Sequence, residues 1–106
     1  MIKHSGAFKV SSEGKTVVVS LSGEIDHHNA GALRSCIDEA IGRAFPEMLC
    51  LDFAKVSFMD SSGIGLIMGR YRMMQEIGGK VTVQNAGKTL LKMMQLAGLE
   101  RLVRLK

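Results

Sequence analysis

Short apolar runs alternate along this chain with longer segments in which apolar residues recur every three or four positions. Residues 17–19 are three successive valines, a composition typical of buried strands. Leu33, Ile37 and Ile41 then recur at the spacing of one helix face. Strands that alternate with helices form βαβ units, so this pattern predicts a largely parallel sheet.

The predicted elements follow the order β-β-α-β-α-β-α-β. Strands are predicted at residues 8–11, 16–21, 48–53 and 80–84, with residues 102–105 as a candidate fifth strand. Helices are predicted at residues 29–44, from Ser61 or Ser62 to residue 77, and at residues 89–97. This order predicts a single α/β domain over residues 1–106, with a mixed, mostly parallel sheet of about four to five strands and about three to four helices.

Composition narrows the classes of partner and location. The net charge is +4, but Lys and Arg are scattered and a single Tyr offers little base stacking, so we expect no nucleic-acid partner. Nothing approaches the ~18 apolar residues of a membrane span, and no apolar segment of a signal peptide follows Lys3 and His4. Cys36 and Cys50 lack metal or redox spacing, so we expect reduced, buried thiols and a cytoplasmic protein.

Two polar loops each follow a predicted strand. The first, residues 23–29, contains Asp26, His27 and His28. The second, residues 58–63, reads Phe-Met-Asp-Ser-Ser-Gly. Because the carboxyl ends of parallel strands meet at one edge of a sheet, where partners commonly dock, we expect the two loops to be neighbours.

The paired serines of the second loop stand where the second helix is predicted to begin. A serine at this position can cap the helix, since its oxygen accepts a backbone N–H of the first turn. One cap uses one hydroxyl, so either Ser61 or Ser62, beside Asp60, keeps an exposed hydroxyl at the positive end of the helix. Phosphorylation there would add about −1.5 to −2 charge and repel a docked partner. From the residues alone, simple capping and a phosphorylation switch both remain open.

Metal binding and hydrolysis are the competing chemistries. Asp26, His27 and His28 suggest a metal site, but adjacent histidines of one loop rarely chelate one ion well and no third His or Cys has suitable spacing, so we expect no metal. A small serine hydrolase would use Ser61 or Ser62 with one of the histidines. However, the Gly-x-Ser-x-Gly elbow is absent, because an aspartate occupies position 60.

The glycines after the serines allow a further alternative, a nucleotide-binding module. Gly63, Gly65 and Gly69 fall within the second predicted helix and form no phosphate cradle. The segment Gly87-Lys88-Thr89 lacks the upstream glycine of a Walker loop. Close helix packing, or the approach of a partner's backbone, accounts better for the glycines, and we expect no cofactor.

Several segments together resemble the anti-sigma factor antagonists of the STAS family, most narrowly those of the sigma-F sporulation pathway. The resemblance covers residues 10–105. It rests on the segments 23–28, 58–65, 69–71, 77–79 and 98–99, of which the Asp-Ser-Ser-Gly motif marks the antagonists broadly.

This resemblance implies a regulatory protein rather than an enzyme. The unphosphorylated antagonist binds an ATP-dependent anti-sigma factor kinase and thereby releases the sigma factor. The kinase phosphorylates the first serine of the motif, here Ser61; the product dissociates, and a phosphatase restores it. We expect a free monomer and a partner-binding surface made of Asp26, His27, His28, Asp60, Ser61, Ser62, Gly63 and Gly65.

Overall fold

The computed structural model describes residues 7–106, which form five strands, three α-helices and one 3-10 helix. The strands are β1 (Ala7–Glu13), β2 (Thr16–Ile25), β3 (Met48–Met59), β4 (Lys80–Gln84) and β5 (Arg104–Leu105). The helices are α1 (Ala30–Ala44), α2 (Ser61–Glu76) and α3 (Lys88–Leu96), and the 3-10 helix spans Leu99–Arg101. The predicted α/β class is confirmed. Residues 1–6 of the predicted domain lie outside the described range.

The five strands form one mixed sheet in the order β1-β2-β3-β4-β5. β1 runs antiparallel to β2, whereas β2, β3, β4 and β5 are mutually parallel. The loops that follow β2 and β3 therefore leave the sheet at the same edge. This arrangement places the two polar loops next to each other.

Alternate positions of the parallel strands are buried beneath helices α1 and α2. Val17, Leu49 and Val81 are register partners on β2, β3 and β4, and each is at most 3% exposed. The helices complete this core with their apolar stripes: Leu33, Ile37 and Ile41 of α1, and Leu66, Ile67 and Met74 of α2. The core thus fixes both helices over the sheet.

The two strands that lead to the polar loops are longer than their apolar runs predict. β2 continues to Ile25 and β3 to Met59, although the predictions end at residues 21 and 53. Register irregularities between Ser20 and Ser22 and directly after Gly23 keep the polar end of β2 paired with β3. Bulges of this kind depend on the partner strand, so local composition did not reveal them.

The cysteines differ in burial. Cys50 is buried in β3, and this burial, followed by the nearby Asp52, raises the pKa of its thiol. Cys36 is only half-buried because it borders an open groove between α1 and the edge strand β1, so the expectation of two buried thiols is wrong for Cys36. Within residues 7–106, no helix combines the length and apolarity that crossing a bilayer requires.

Gly63 sets how closely the start of α2 approaches the sheet. The residue is buried, and a Cβ built on it would overlap the Met59 side chain and reach to 3.5 Å from Ile25 Cγ2. Gly65, half a turn further along α2, is exposed and has no atom within 4 Å of the same added carbon. Of these two glycines, only Gly63 is therefore required by packing.

We predict that Gly63→Ala lowers the free energy of unfolding by about 1–3 kcal/mol, because Met59 must move out of a packed position. Gly65→Ala is the matched control: it adds the same carbon in open space and should cost nothing, or gain up to about 1 kcal/mol from helix propensity. Urea unfolding of both variants measures this difference. Equal stability of the two would contradict the packing role of Gly63.

Candidate functional site

Asp60 joins the end of β3 to the start of α2. Its backbone N–H donates to Ile25 O at 3.1 Å, which ties it to the end of β2. Its carboxylate Oδ1 accepts the Ser62 N–H at 2.8 Å and so caps the helix. The expectation that Ser61 or Ser62 is the cap is therefore wrong. An aspartate one residue earlier caps as well as a serine, and its charge suits the positive helix end.

This cap leaves both serine side chains without a capping role. Ser61 is the first residue of α2 and is exposed, whereas Ser62 is half-buried. Within residues 7–106, the Ser61 hydroxyl makes no hydrogen bond. A nucleophilic hydroxyl thus faces outward at the helix end where the partial positive charge of the backbone is greatest.

The loop before α1 is held by its own side chains. Asp26 Oδ1 accepts the backbone N–H groups of His28 and Asn29, at 2.9 and 3.2 Å. Asn29 Oδ1 in turn accepts the Asp26 N–H at 3.0 Å, and its amide donates to Glu24 O at 2.7 Å. Asn29 stands at the N-cap position of α1, yet its side chain does not cap that helix. Asp26 therefore shapes the loop, and the histidine side chains project from it.

The two loops meet at His27 and Asp60. His27 Nδ1 lies 3.8 Å from Asp60 Oδ2, close enough for an ion pair when the ring is protonated. The rings of His27 and His28 pack with their centroids 4.0 Å apart, and both residues are exposed. The predicted proximity of the loops is therefore observed, through this contact and the Asp60–Ile25 hydrogen bond.

Electrostatics at this edge favour an ionised Asp60. The Ser62 N–H that donates to Asp60 lowers the pKa of the carboxyl; desolvation opposes this, while the Ser62 hydroxyl and His27 lower it further. Asp60 thus carries a negative charge beside Ser61 at neutral pH. Any second negative charge on Ser61 would be added next to an existing one.

The residues expected to bind a partner divide into supporting and accessible positions. Gly63 is buried against Met59 and supports the fold. Gly65 is exposed and borders a groove between α1 and α2, which Ser62 also lines. Sequence reasoning missed the contribution of α1 to this groove; the signal available was the spacing of Gly31 and Arg34 on one helix face.

The geometry of the site also bears on the two competing chemistries, hydrolysis and metal binding. Among residues 7–106, no hydrogen bond joins a hydroxyl of Ser61 or Ser62 to a histidine ring, and His27 faces Asp60 instead. In the same range, no group of three or more His, Cys, Asp or Glu side chains is arranged to hold a metal. The site thus presents the exposed hydroxyl of Ser61 next to the carboxylate-bearing residue Asp60.

Comparison with known proteins places the chain in a family. The model of the STAS domain matches residues 7–106, and the chain belongs to the STAS domain family. The predicted resemblance is confirmed by a relative: an anti-sigma F factor antagonist of Paenibacillus polymyxa is 37% identical over 87 residues, 82% of this chain and 74% of that protein.

Solved structures show the same similarity. The anti-sigma factor antagonist SpoIIAA in its unphosphorylated form matches with a TM-score of 0.82 and 35% identity over 94% of this chain and 88% of that one. The phosphorylated form of SpoIIAA, a Bacillus cell fate determinant, matches with a TM-score of 0.74 and 35% identity over 94% of this chain and 91% of that one.

We predict that Asp60→Ala lowers the melting temperature, since the Ser62 N–H loses its acceptor. Asp60→Asn keeps an acceptor but no charge, so it isolates the effect of ionisation. The pKa of Asp60 in the fold lies below the ordinary 3.8. The melting temperature of wild type should therefore exceed that of Asp60→Asn by a constant amount above pH 3.8, and this difference should disappear as the pH falls through the lowered pKa. Thermal unfolding of the three proteins between acid and neutral pH tests this; an advantage that grows on acidification would contradict it.

Proposed function

We propose that this chain is an anti-sigma factor antagonist controlled by phosphorylation of Ser61. In the unphosphorylated form it binds an anti-sigma factor that is also an ATP-dependent serine kinase, and so frees the sigma factor. Phosphorylation ends binding, and a phosphatase restores the active form. The observation that carries this proposal is the exposed, unbonded Ser61 hydroxyl at the start of α2, beside Asp60.

The Asp60 cap supports the assignment to Ser61. Because Asp60 already satisfies the Ser62 N–H, the fold does not need the Ser61 hydroxyl and tolerates its modification. Ser61 is also the more accessible serine, as Ser62 is half-buried beside α1. The active site of a kinase must enclose the hydroxyl that accepts the phosphate, and this requirement favours the exposed Ser61 over Ser62.

The charge at this edge explains how phosphate would end binding. A phosphate brings about −1.5 to −2 charge, and it would sit beside the ionised Asp60 and the neighbouring Asp26 loop. The helix end offsets part of this charge within the fold. A partner pressed on the same surface would have to desolvate the phosphate, and this cost would expel it.

The proposed partner surface consists of the two loops and the first turns of α2. Its members are Asp26, His27, His28, Asp60, Ser61, Ser62, Gly63 and Gly65. All except Gly63 are at least partly exposed, so Gly63 would act by seating the helix. We place the protein in the cytoplasm as a regulator of sigma-dependent transcription, most specifically in sporulation, and assign it no catalytic activity.

The relatives support the assignment of the chain to the class of anti-sigma factor antagonists. The matched Paenibacillus protein is named an anti-sigma F factor antagonist, and SpoIIAA is known in both unphosphorylated and phosphorylated forms. Each of the two SpoIIAA structures matches over 94% of this chain.

Incubation with the cognate anti-sigma factor and ATP should add one phosphate to the chain, detected as one mass shift. Ser61→Ala should abolish this shift, whereas Ser62→Ala, the adjacent control, should keep it. Fragment mass spectrometry locates the modified residue. A shift that persists in Ser61→Ala would show that the site is wrong.

The electrostatic step can be separated from the phosphorylation itself. Ser61→Asp adds charge at the proposed site, and Ser61→Asn adds a side chain of the same shape without charge. We expect Ser61→Asp to weaken binding to the anti-sigma factor about tenfold or more, equivalent to about 1.4 kcal/mol, and Ser61→Asn to have a much smaller effect. Calorimetric titration of both variants measures the difference. Equal losses in the two would mean that shape, not charge, controls docking.

A further inference from the structure

Helices α1 and α2 enclose a groove that begins at Ser62 and continues along α2, away from Ser61. Positions 62, 65 and 69 of α2 line it at helical spacing, opposite Gly31 and Arg34 of α1, and Arg70 lies at its far end. A Cβ built on Gly31, Gly65 or Gly69 would have no atom within 4 Å. Because these three glycines carry no side chain, the main chain of another protein could approach the surface of the groove closely.

Arg70, at the far end of this groove, is unusual because it is a charged residue that is almost fully buried. Its residue is only 6% exposed, and its Nε lies 2.8 Å from Asp38 Oδ1 on α1. This ion pair is close but poorly aligned: Arg70 Nε, Arg70 Nη1 and Asp38 Oδ1 are all buried without a hydrogen bond. A buried guanidinium normally has its N–H donors paired, whereas Arg70 has only this ion pair on its buried side and also lines the groove.

The charges around the groove do not balance. Burial lowers the pKa of Arg70, Asp38 opposes this, and the proximity of Arg34 lowers it further. Among residues 7–106, no carboxylate lies within 4.0 Å of the Arg34 guanidinium, whereas Glu39 on the same helix is paired with Arg43. Asp38 therefore pairs with Arg70 alone, and the positive charge of Arg34 is not compensated by a carboxylate within ion-pair distance.

We propose that this groove binds an extended segment of the partner protein whose Asp or Glu carboxylate pairs with Arg34 and Arg70. A carboxylate supplies the single negative charge that is missing and can accept two N–H donors from a guanidinium. A phosphate dianion would exceed this charge beside Asp38. The glycines Gly31, Gly65 and Gly69 leave room for the backbone of the segment. This inference rests on the proposed function, because it assumes the same partner that docks at Ser61.

Arg34→Gln tests the groove without disturbing the core, because Arg34 is exposed. We expect it to weaken binding to the anti-sigma factor about tenfold, with the melting temperature unchanged. Arg72→Gln, which removes the same charge from an exposed position of α2 outside the groove, is the matched control and should bind normally. Arg70→Lys keeps the charge but loses the planar pair of donors, and should also weaken binding.

Neutralising the partner's acidic residues one at a time, by Glu→Gln or Asp→Asn, identifies the paired carboxylate. One such change in the partner should weaken its binding to the wild-type chain but should weaken its binding to Arg34→Gln little further. If no acidic residue couples, or if inorganic phosphate competes for the groove where acetate at equal ionic strength does not, the inference is wrong. Normal binding by Arg34→Gln with weak binding by Ser61→Asp would overturn the groove and leave the proposed function standing. Failure of wild type to bind would overturn both.

Discussion

The site depends on one residue, because Asp60 connects the ends of β2 and β3 to the start of α2. Its N–H binds the end of β2 through Ile25 O, its carbonyl accepts the Gly63 N–H, and its carboxylate caps α2 through the Ser62 N–H. These bonds fix where the helix begins relative to the sheet. They also release both serines from capping. An acid at this position therefore creates the free hydroxyl and supplies the charge that a phosphate on Ser61 would meet.

Much of the fold follows from the sequence because the core positions repeat with clear periods. The valines of β2 and the stripe of α1 predict a parallel sheet covered by helices, and the sheet has that form. The strand ends were not predictable, since bulges near Gly23 depend on pairing with β3. The capping residue was also missed: Asp60, Ser61 and Ser62 are all good caps, and only the backbone geometry at Asp60 distinguishes them.

The remaining difference between sequence and structure concerns residues that are distant in the chain. Asp38 and Arg70 are separated by the end of α1, the whole of β3 and the first half of α2, so no local pattern indicates that they form an ion pair. Arg34 is similarly ordinary as a single exposed residue. Only the packing of α1 on α2 brings the two guanidinium groups and the glycines into one groove that starts at Ser62. Helix packing thus connects the proposed phosphorylation site at one end of α2 to the groove further along it.

In the proposed function, negative charge on Ser61 decides whether a partner can dock at this edge of the sheet. The most direct measurement is calorimetric titration of the cognate anti-sigma factor with the enzymatically phosphorylated chain and with the same chain after dephosphorylation. We expect tight binding of the dephosphorylated chain, loss of that binding in the phosphorylated chain, and similar melting temperatures for both. Equal affinity of the two forms would contradict it.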